Sequence, residues 1–318
     1  MRYPLCLSAL FVYAAAAQPL PMAGVIVDQV SRTIRPVMAD GESASAGRAR
    51  VREFDAAWPA PDGRTVLVAR AGSLHLVRRL DGTIPVWREF REDGPAVGRA
   101  AWSEDSTVLA LYLPDEKKVE VWNHCPGDPR HAFTVDLSTV GERVVSLTVS
   151  PDAKVAFLAT QGQESGTLWI LEKDLQPRML MPLGKAGEIR YAGGALYIAD
   201  RARNEVLRYS GWQAMPQVET LVAAGHGLAD PVGFALLAEQ KKLLVASAGT
   251  SQLLVLDLRS NRMEEPVELA DPPARLERLG PAPLFELDDA RRRAPARLFD
   301  AASQRLLALS SAAPGAGE

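Results

Sequence analysis

Apolar residues along this chain come in short runs, and the runs come in sets. Residues 55–90 carry one set: Asp55-Ala-Ala-Trp58, the polar turn Pro61-Asp62-Gly63-Arg64, then Thr65-Val-Leu-Val-Ala69, then Ser73-Leu-His-Leu-Val77, and last Val86-Trp-Arg-Glu-Phe90. Short apolar runs bounded by Gly, Pro and Asp predict four strands here. The plan recurs. First strands begin near Asp55, Gly98, Val144, Glu188, Pro231 and Arg275, at successive spacings of 43, 46, 44, 43 and 44 residues. The second runs (65–69, 107–113, 154–159, 195–199 and 242–248) are almost uniformly apolar. Continuous apolarity predicts burial on both faces. Third runs, such as Lys118-Val-Glu-Val-Trp122 and Gln252-Leu-Leu-Val-Leu256, alternate better and lie further out.

A period in the forties with four short strands per unit is the pattern of an all-β β-propeller, whose second strands are sandwiched between neighbouring blades. The segment before the first complete repeat predicts a hairpin over 24–37: Val25-Ile-Val-Asp28 is followed by Thr33-Ile-Arg-Pro-Val37. Its strand-Asp-x-x-Ser pattern returns at Leu254-Val-Leu-Asp257-Leu-Arg-Ser260 and at Arg297-Leu-Phe-Asp300-Ala-Ala-Ser303. Asp and Ser side chains bond nearby backbone N–H groups and hold tight turns. This hairpin is expected to pair with the C-terminal repeat and close the ring, because an open stack would expose a sheet edge. The 301 residues left after removal of the first 17 divide into seven units of 43, which matches the period and points to seven four-stranded blades; six is the alternative. Residues 38–54 are small and polar and read as a linker or loop. The Arg291, Arg292, Arg293 stretch reads as a short solvated insertion. The propeller domain is expected over 18–311 with a tail at 312–318.

The start of the chain changes the compartment. Met1-Arg2 precedes a mostly apolar run over 5–17 that ends in four alanines before Gln18. A positive end, a short apolar run and a small-residue site predict a signal peptide over 1–17 and a secreted or periplasmic protein. The run is too short to span a bilayer comfortably, so no membrane span is expected in the mature chain. The alternatives are an N-terminal strand or an uncleaved anchor. Cleavage also removes Cys6, and Cys125 then has no partner for an internal disulfide and reads as a buried thiol. The 318 residues are 47% hydrophobic and 24% charged, with a formal net charge of −3. That balance argues against nucleic acid, which requires a concentrated basic surface.

Several stretches resemble known repeat families. Trp58-Pro-Ala-Pro61-Asp62-Gly63-Arg64 and Val149-Ser150-Pro151-Asp152-Ala-Lys154 resemble the Ser-Pro-Asp-Gly turn of WD-repeat and YVTN-type propellers. The strands closed by Asp257 and Asp300 also resemble the YVTN pattern. Leu228-Ala-Asp-Pro231-Val-Gly233 and Ala195-Leu-Tyr-Ile-Ala-Asp200 are similar to NHL repeats, and the opening 25–37 pattern resembles the start of secreted bacterial propellers. The resemblance runs over roughly 24–309. It implies the fold, and it leaves function open because propellers host binding, scaffolding and several enzyme chemistries.

Candidate chemistry is sparse. His226, in Gly225-His-Gly227-Leu-Ala-Asp230-Pro231, falls between the outer strand of one blade and the inner strand of the next, where propellers present their channel mouth. Asp230 could orient the imidazole; the plainer reading is that Gly and Asp make a turn. Arg201, Arg203 and Asn204 lie between a second and a third strand and are candidates for recognising an anion or a protein carboxylate. A lactonase or sugar-acid hydrolase, of the type such propellers resemble, would need carboxylates with a His or a Ca²⁺ site, and Asp200, His226 and Asp230 are the candidates. His124-Cys125-Pro-Gly-Asp128-Pro-Arg-His131 holds zinc-type donors, but its interior is a turn and its spacing fits no zinc framework. His75 lies inside a strand and reads as structural. Trp58 and Trp102 read as equivalent positions in blade packing. The acidic pairs Asp115-Glu116 and Glu286-x-Asp288-Asp289 read as surface loops beside basic residues. No Gly-x-Ser-x-Gly elbow is present. The expectation is a non-enzymatic binding or scaffold module for a protein or peptide partner, without a cofactor or metal; the alternative is the hydrolase.

Overall fold

Strands end in this structure where the sequence places Asp before Ser. Asp28 Oδ1 accepts from the N–H groups of Val30 and Ser31, each at 2.9 Å. Asp257 accepts from Arg259 and Ser260 at 2.8 and 2.9 Å. The Ser260 N–H, then that of Arg259, hold the Asp257 carboxyl below the usual carboxylate range. Asp62 closes the Pro-Asp-Gly turn in the same way, accepting from Arg64 and Thr65 at 2.8 and 2.9 Å.

The computed structural model describes residues 21–82, 84–92, 94, 96–288 and 296–311. Among the described residues the strands form six sheets. Four sheets, spanning 56–91, 99–136, 143–183 and 186–222, each have four antiparallel strands in chain order. The 231–268 sheet has a fifth strand, because both Arg262–Met263 and Val267–Glu268 pair with Gln252–Asp257. The remaining sheet joins the two ends of the chain. Its C-terminal half runs Glu277–Arg278, Leu284–Glu286, Arg297–Asp300 and Arg305–Ser311. Its N-terminal half holds the hairpin Met22–Asp28 with Thr33–Ala39, plus Ala44–Ala46 and Val51–Arg52. The halves meet where Arg305–Ser311 runs parallel to Ala44–Ala46, with Leu309 opposite Ala44.

One expectation changes. The 38–54 segment is no linker: its two short strands complete the N-terminal half-sheet. Backbone pairing requires no apolar run, and small buried Ala44 and Ala46 fit where strands from both chain ends converge. The signal peptide at 1–17, the tail at 312–318 and the arginine stretch at 291–293 lie outside the described residues.

The second strands are buried on both faces: Ala195–Asp200 at every position and Val155–Gln161 at all but the last. The buried apolar clusters lie between successive sheets. Leu67 and Leu76 meet Leu109 and Leu111, and Phe157 and Leu168 meet Ile189 and Ile198. Another cluster joins Ala23, Val37 and Ala44 near the N-terminus to Leu284, Leu298 and Leu307 near the C-terminus. Each fully buried leucine contributes about 2 kcal/mol.

Neighbouring first strands are stitched by side chains one repeat apart. The Ile189 and Tyr191 N–H groups donate to Ser146 Oγ and Thr148 Oγ1, each at 3.1 Å, and the Asp62 N–H donates to Ser106 Oγ at 3.0 Å. Trp102 Nε1 donates to the Trp58 carbonyl at 3.1 Å, so these tryptophans pack between sheets. They are one residue out of register: Trp58 stands two before Ala60, whose N–H bonds Thr65, whereas Trp102 stands one before Ser103, whose N–H bonds Val108. At the junction of the chain ends the Val25 N–H donates to the Leu279 carbonyl at 2.9 Å. A Cβ on Gly24 would lie 2.0 Å from that carbonyl oxygen, so only glycine permits the approach.

Candidate functional site

The first strands of all the sheets, including both halves of the terminal one, surround a cavity of about 750 Å³. Val25, Trp58, Arg99, Ser146, Glu188 and Val232 line it from successive parts of the chain. That size lies inside the range of about 300–1,000 Å³ usual for ligand pockets. Three glutamates (Glu188, Glu277 and Glu286) and five arginines (Arg99, Arg190, Arg201, Arg275 and Arg278) are in its lining.

The carboxylates are engaged. Glu188 Oε1 accepts from Arg190 Nε at 2.5 Å, and its Oε2 accepts from the Phe234 N–H at 3.1 Å. Burial raises the Glu188 carboxyl above its ordinary value against the pull of Arg190, and the nearby charge of Glu277 adds to the rise. Arg190 Nη2 lies 4.0 Å from Glu277 Oε2. Glu286 is 3% exposed, and Arg275 donates to it. Burial pushes its carboxyl up to about 7, opposed by Arg275. Asp288, 2% exposed, accepts from Arg297 Nε and Nη2 at 2.9 and 2.7 Å. Glu286 and Asp288 are therefore buried against arginines and not a surface loop; Arg297 supplies the counter-charge to Asp288, and Arg275 offsets part of the cost of burying Glu286. Arg278 donates to the carbonyls of Gly280 and Pro281 at 2.8 and 2.5 Å. Burial, then the charge of Arg190, hold it below the ordinary arginine value.

Of the residues singled out from sequence, Arg201 lines this cavity. Arg201 grips Asp230 in a two-pronged pair, Nε to Oδ1 at 2.7 Å and Nη2 to Oδ2 at 2.8 Å. These bonds hold the Asp230 carboxyl below the usual range. Asn204 Oδ1 accepts from the Asp230 N–H at 2.7 Å, so Arg201, Asn204 and Asp230 form one cluster. Asp200 is fully buried and accepts from four N–H groups: Gly184 at 2.7 Å, Lys185 at 3.1 Å, and Ala202 and Arg203 at 3.2 Å. It ties the loop into the 186–222 sheet to the turn at 201–204, and Arg203 lies 3.5 Å from it. His226 is exposed in a short 3₁₀ turn, and its Nδ1 accepts from the Ala223 N–H at 3.1 Å. That bond lies within its own turn.

Several of the other donors are also engaged. Asp128 pairs with Arg88 at 3.0 Å, and His131 lies edge-on to Trp122 with ring centroids 5.2 Å apart. Cys125 is 5% exposed, and burial pushes its thiol up to about 12. His75 lies edge-on to Trp87 at 5.6 Å. Among the described residues no group of three His, Cys, Asp or Glu side chains is placed to hold a metal ion.

Sequence reading missed the charged lining of the cavity. The available signal was positional: Glu188, Arg190, Arg275, Glu277 and Arg278 all fall at the first-strand positions of their repeats, where an apolar run would otherwise be expected. In a strand, residues two apart share a face, so Glu188 and Arg190 meet.

No family model and no curated protein matches the chain. Solved structures do match. A putative 6-phosphogluconolactonase from Bacteroides uniformis is 16% identical and superposes with a TM-score of 0.52 over 79% of this chain and 82% of that one. The β-propeller domain of Myceliophteria thermophila Cps50 (Swd1) is 12% identical, with a TM-score of 0.52 over 90% of this chain and 95% of that one. A nidogen/laminin complex gives 13% identity and a TM-score of 0.50 over 77% and 92%. This chain therefore has a propeller-like all-β fold, distantly related to propeller proteins. No helix among the described residues is long and apolar enough to cross a membrane.

Proposed function

We propose that the chain is an exported, seven-bladed propeller, closed by its N-terminal half-sheet, that acts as a non-enzymatic binding or scaffold module engaging a protein or peptide partner at the cavity. The blade count rests on the sheet pattern, with the terminal sheet counted as two blades, and on the apolar cluster between the chain ends. Export rests on the apolar run before Gln18.

The observation that carries the binding reading is the commitment of the carboxylates. Glu188, Glu286 and Asp230 are held by arginines, and Asp200 is spent on four backbone N–H groups. A hydrolase of the lactonase type needs carboxylates directed at a substrate or ion. Here they are spent on arginines and backbone N–H groups, and the likeness to a putative lactonase is one of fold.

The test compares the mature chain (18–318) with Val232→Trp, which adds bulk at the cavity wall. Both are immobilised and exposed to envelope and medium fractions, and both are assayed for lactone hydrolysis with and without Ca²⁺. A specific partner retained by the parent and lost from the variant supports the reading. Ca²⁺-dependent lactone turnover that Val232→Trp abolishes, with no partner captured, overturns it in favour of the hydrolase.

A further inference from the structure

Arg99 and Arg143 are the first residues of two first strands that are neighbours around the cavity, Arg99–Trp102 and Arg143–Val149. Lys185 immediately precedes the next, Ala186–Ala192. Bonds such as Ile189 N–H to Ser146 Oγ align these strands, so their starts share one mouth. All three cations are exposed there, and Arg99 lines the cavity. Among the described residues none of the three has an ion pair.

The carboxylates within reach of them are turned elsewhere. Glu142, next to Arg143 in the chain, accepts from Thr160 and Thr167. Asp230, whose carboxyl feels the charge of Lys185, is held by Arg201. Asp200 accepts the Lys185 backbone N–H, and its nearest cation is Arg203. Partial loss of water at the cavity wall, and then the charge of Arg143, hold Arg99 below the ordinary arginine value, as expected for the first residues of neighbouring strands. Like charges at neighbouring strand starts, without an ion pair of their own, are the arrangement that a bound anion would relieve.

We propose that this mouth is an oxyanion site, in which Arg99, supported by Arg143 and Lys185, takes a carboxylate or phosphate group of the ligand. This rests on the cavity being the binding face. It moves the anion receptor away from Arg201, whose guanidinium is already filled by Asp230.

The experiment titrates the mature chain with citrate and, separately, with inorganic phosphate by isothermal calorimetry at fixed ionic strength. The same titrations follow for Arg99→Gln, Arg99→Lys and Arg208→Gln. Arg208 is paired with Glu219 at 2.6 Å, away from the cavity lining, and serves as the control. Saturable binding of either probe, weakened about 10- to 100-fold by Arg99→Gln and less by Arg99→Lys, supports the site. The stronger probe tells carboxylate from phosphate. Absence of saturable heat with both probes, or equal binding by the parent and Arg99→Gln, overturns it. Circular dichroism checks that the variants fold. If Val232→Trp abolishes partner capture while neither probe binds, the oxyanion site fails and the binding-module reading stands.

Discussion

Glu286 couples the cavity wall to pH. Its carboxyl is 3% exposed, and only Arg275 opposes the cost of burying its charge. In an unfolded chain a glutamate ionises near 4.5, whereas here it holds its proton up to about 7. The folded state binds that proton more tightly, so the stabilisation is fully present below pH 4.5 and is lost as pH rises through 7. At about 1.4 kcal/mol for each tenfold change in proton affinity, the span from 4.5 to 7 amounts to about 3 kcal/mol. Glu286→Gln keeps the shape and a carbonyl acceptor for Arg275, and it cannot ionise. Urea unfolding of both proteins between pH 4 and 8 isolates the group, because other titrations cancel in the difference. The parent is expected to lose about 3 kcal/mol relative to the variant as pH rises from below 4.5 to above 7. A flat difference would refute the reasoning: Arg275 would then fully compensate burial, and Glu286 would be an anion in the fold throughout.

Two substitutions probe the frame. Gly24→Ala drives a Cβ into the Leu279 carbonyl, where the chain ends meet, and is expected to cost about 3 kcal/mol in urea unfolding; Gly141→Ala, with open space around it, should change little. Asp200→Ala strips four backbone N–H groups of their acceptor and is expected to lower stability by about 3 kcal/mol; a loss below about 1 kcal/mol would mean that water takes over the carboxylate's role.

The architecture was legible because it repeats. A period in the forties, apolar second strands and Asp-based turns each have a local cause, and each recurs, so one degenerate copy does not hide the pattern. The terminal sheet was only partly legible. Its hairpin carries the Asp28 turn signal, but Ala44–Ala46 and Val51–Arg52 are strands by virtue of their partners, and no periodicity marks so short a pairing. The buried acids misled for a related reason. Glu286 and Asp288 look like loop acids because Arg275 and Arg297, which make them tolerable inside, are 11 and 9 residues away in sequence.

The candidate site was less legible because its chemistry depends on pairing and not on residue type. Arg201 and Arg99 are the same residue at the same cavity. From sequence, Arg201 was the better candidate, since it sits beside Asp200 and Asn204 in an NHL-like turn. In the fold that very neighbourhood supplies Asp230, which fills both prongs of its guanidinium. Arg99 starts an unremarkable strand, yet the fold brings Arg143 to it and directs Glu142 to Thr160. Packing of successive sheets places first-strand residues side by side that the chain keeps about 44 positions apart. Which charges cancel is therefore decided between sheets, and Arg99, Arg143 and Lys185, without an ion pair among the described residues, are a product of that pairing.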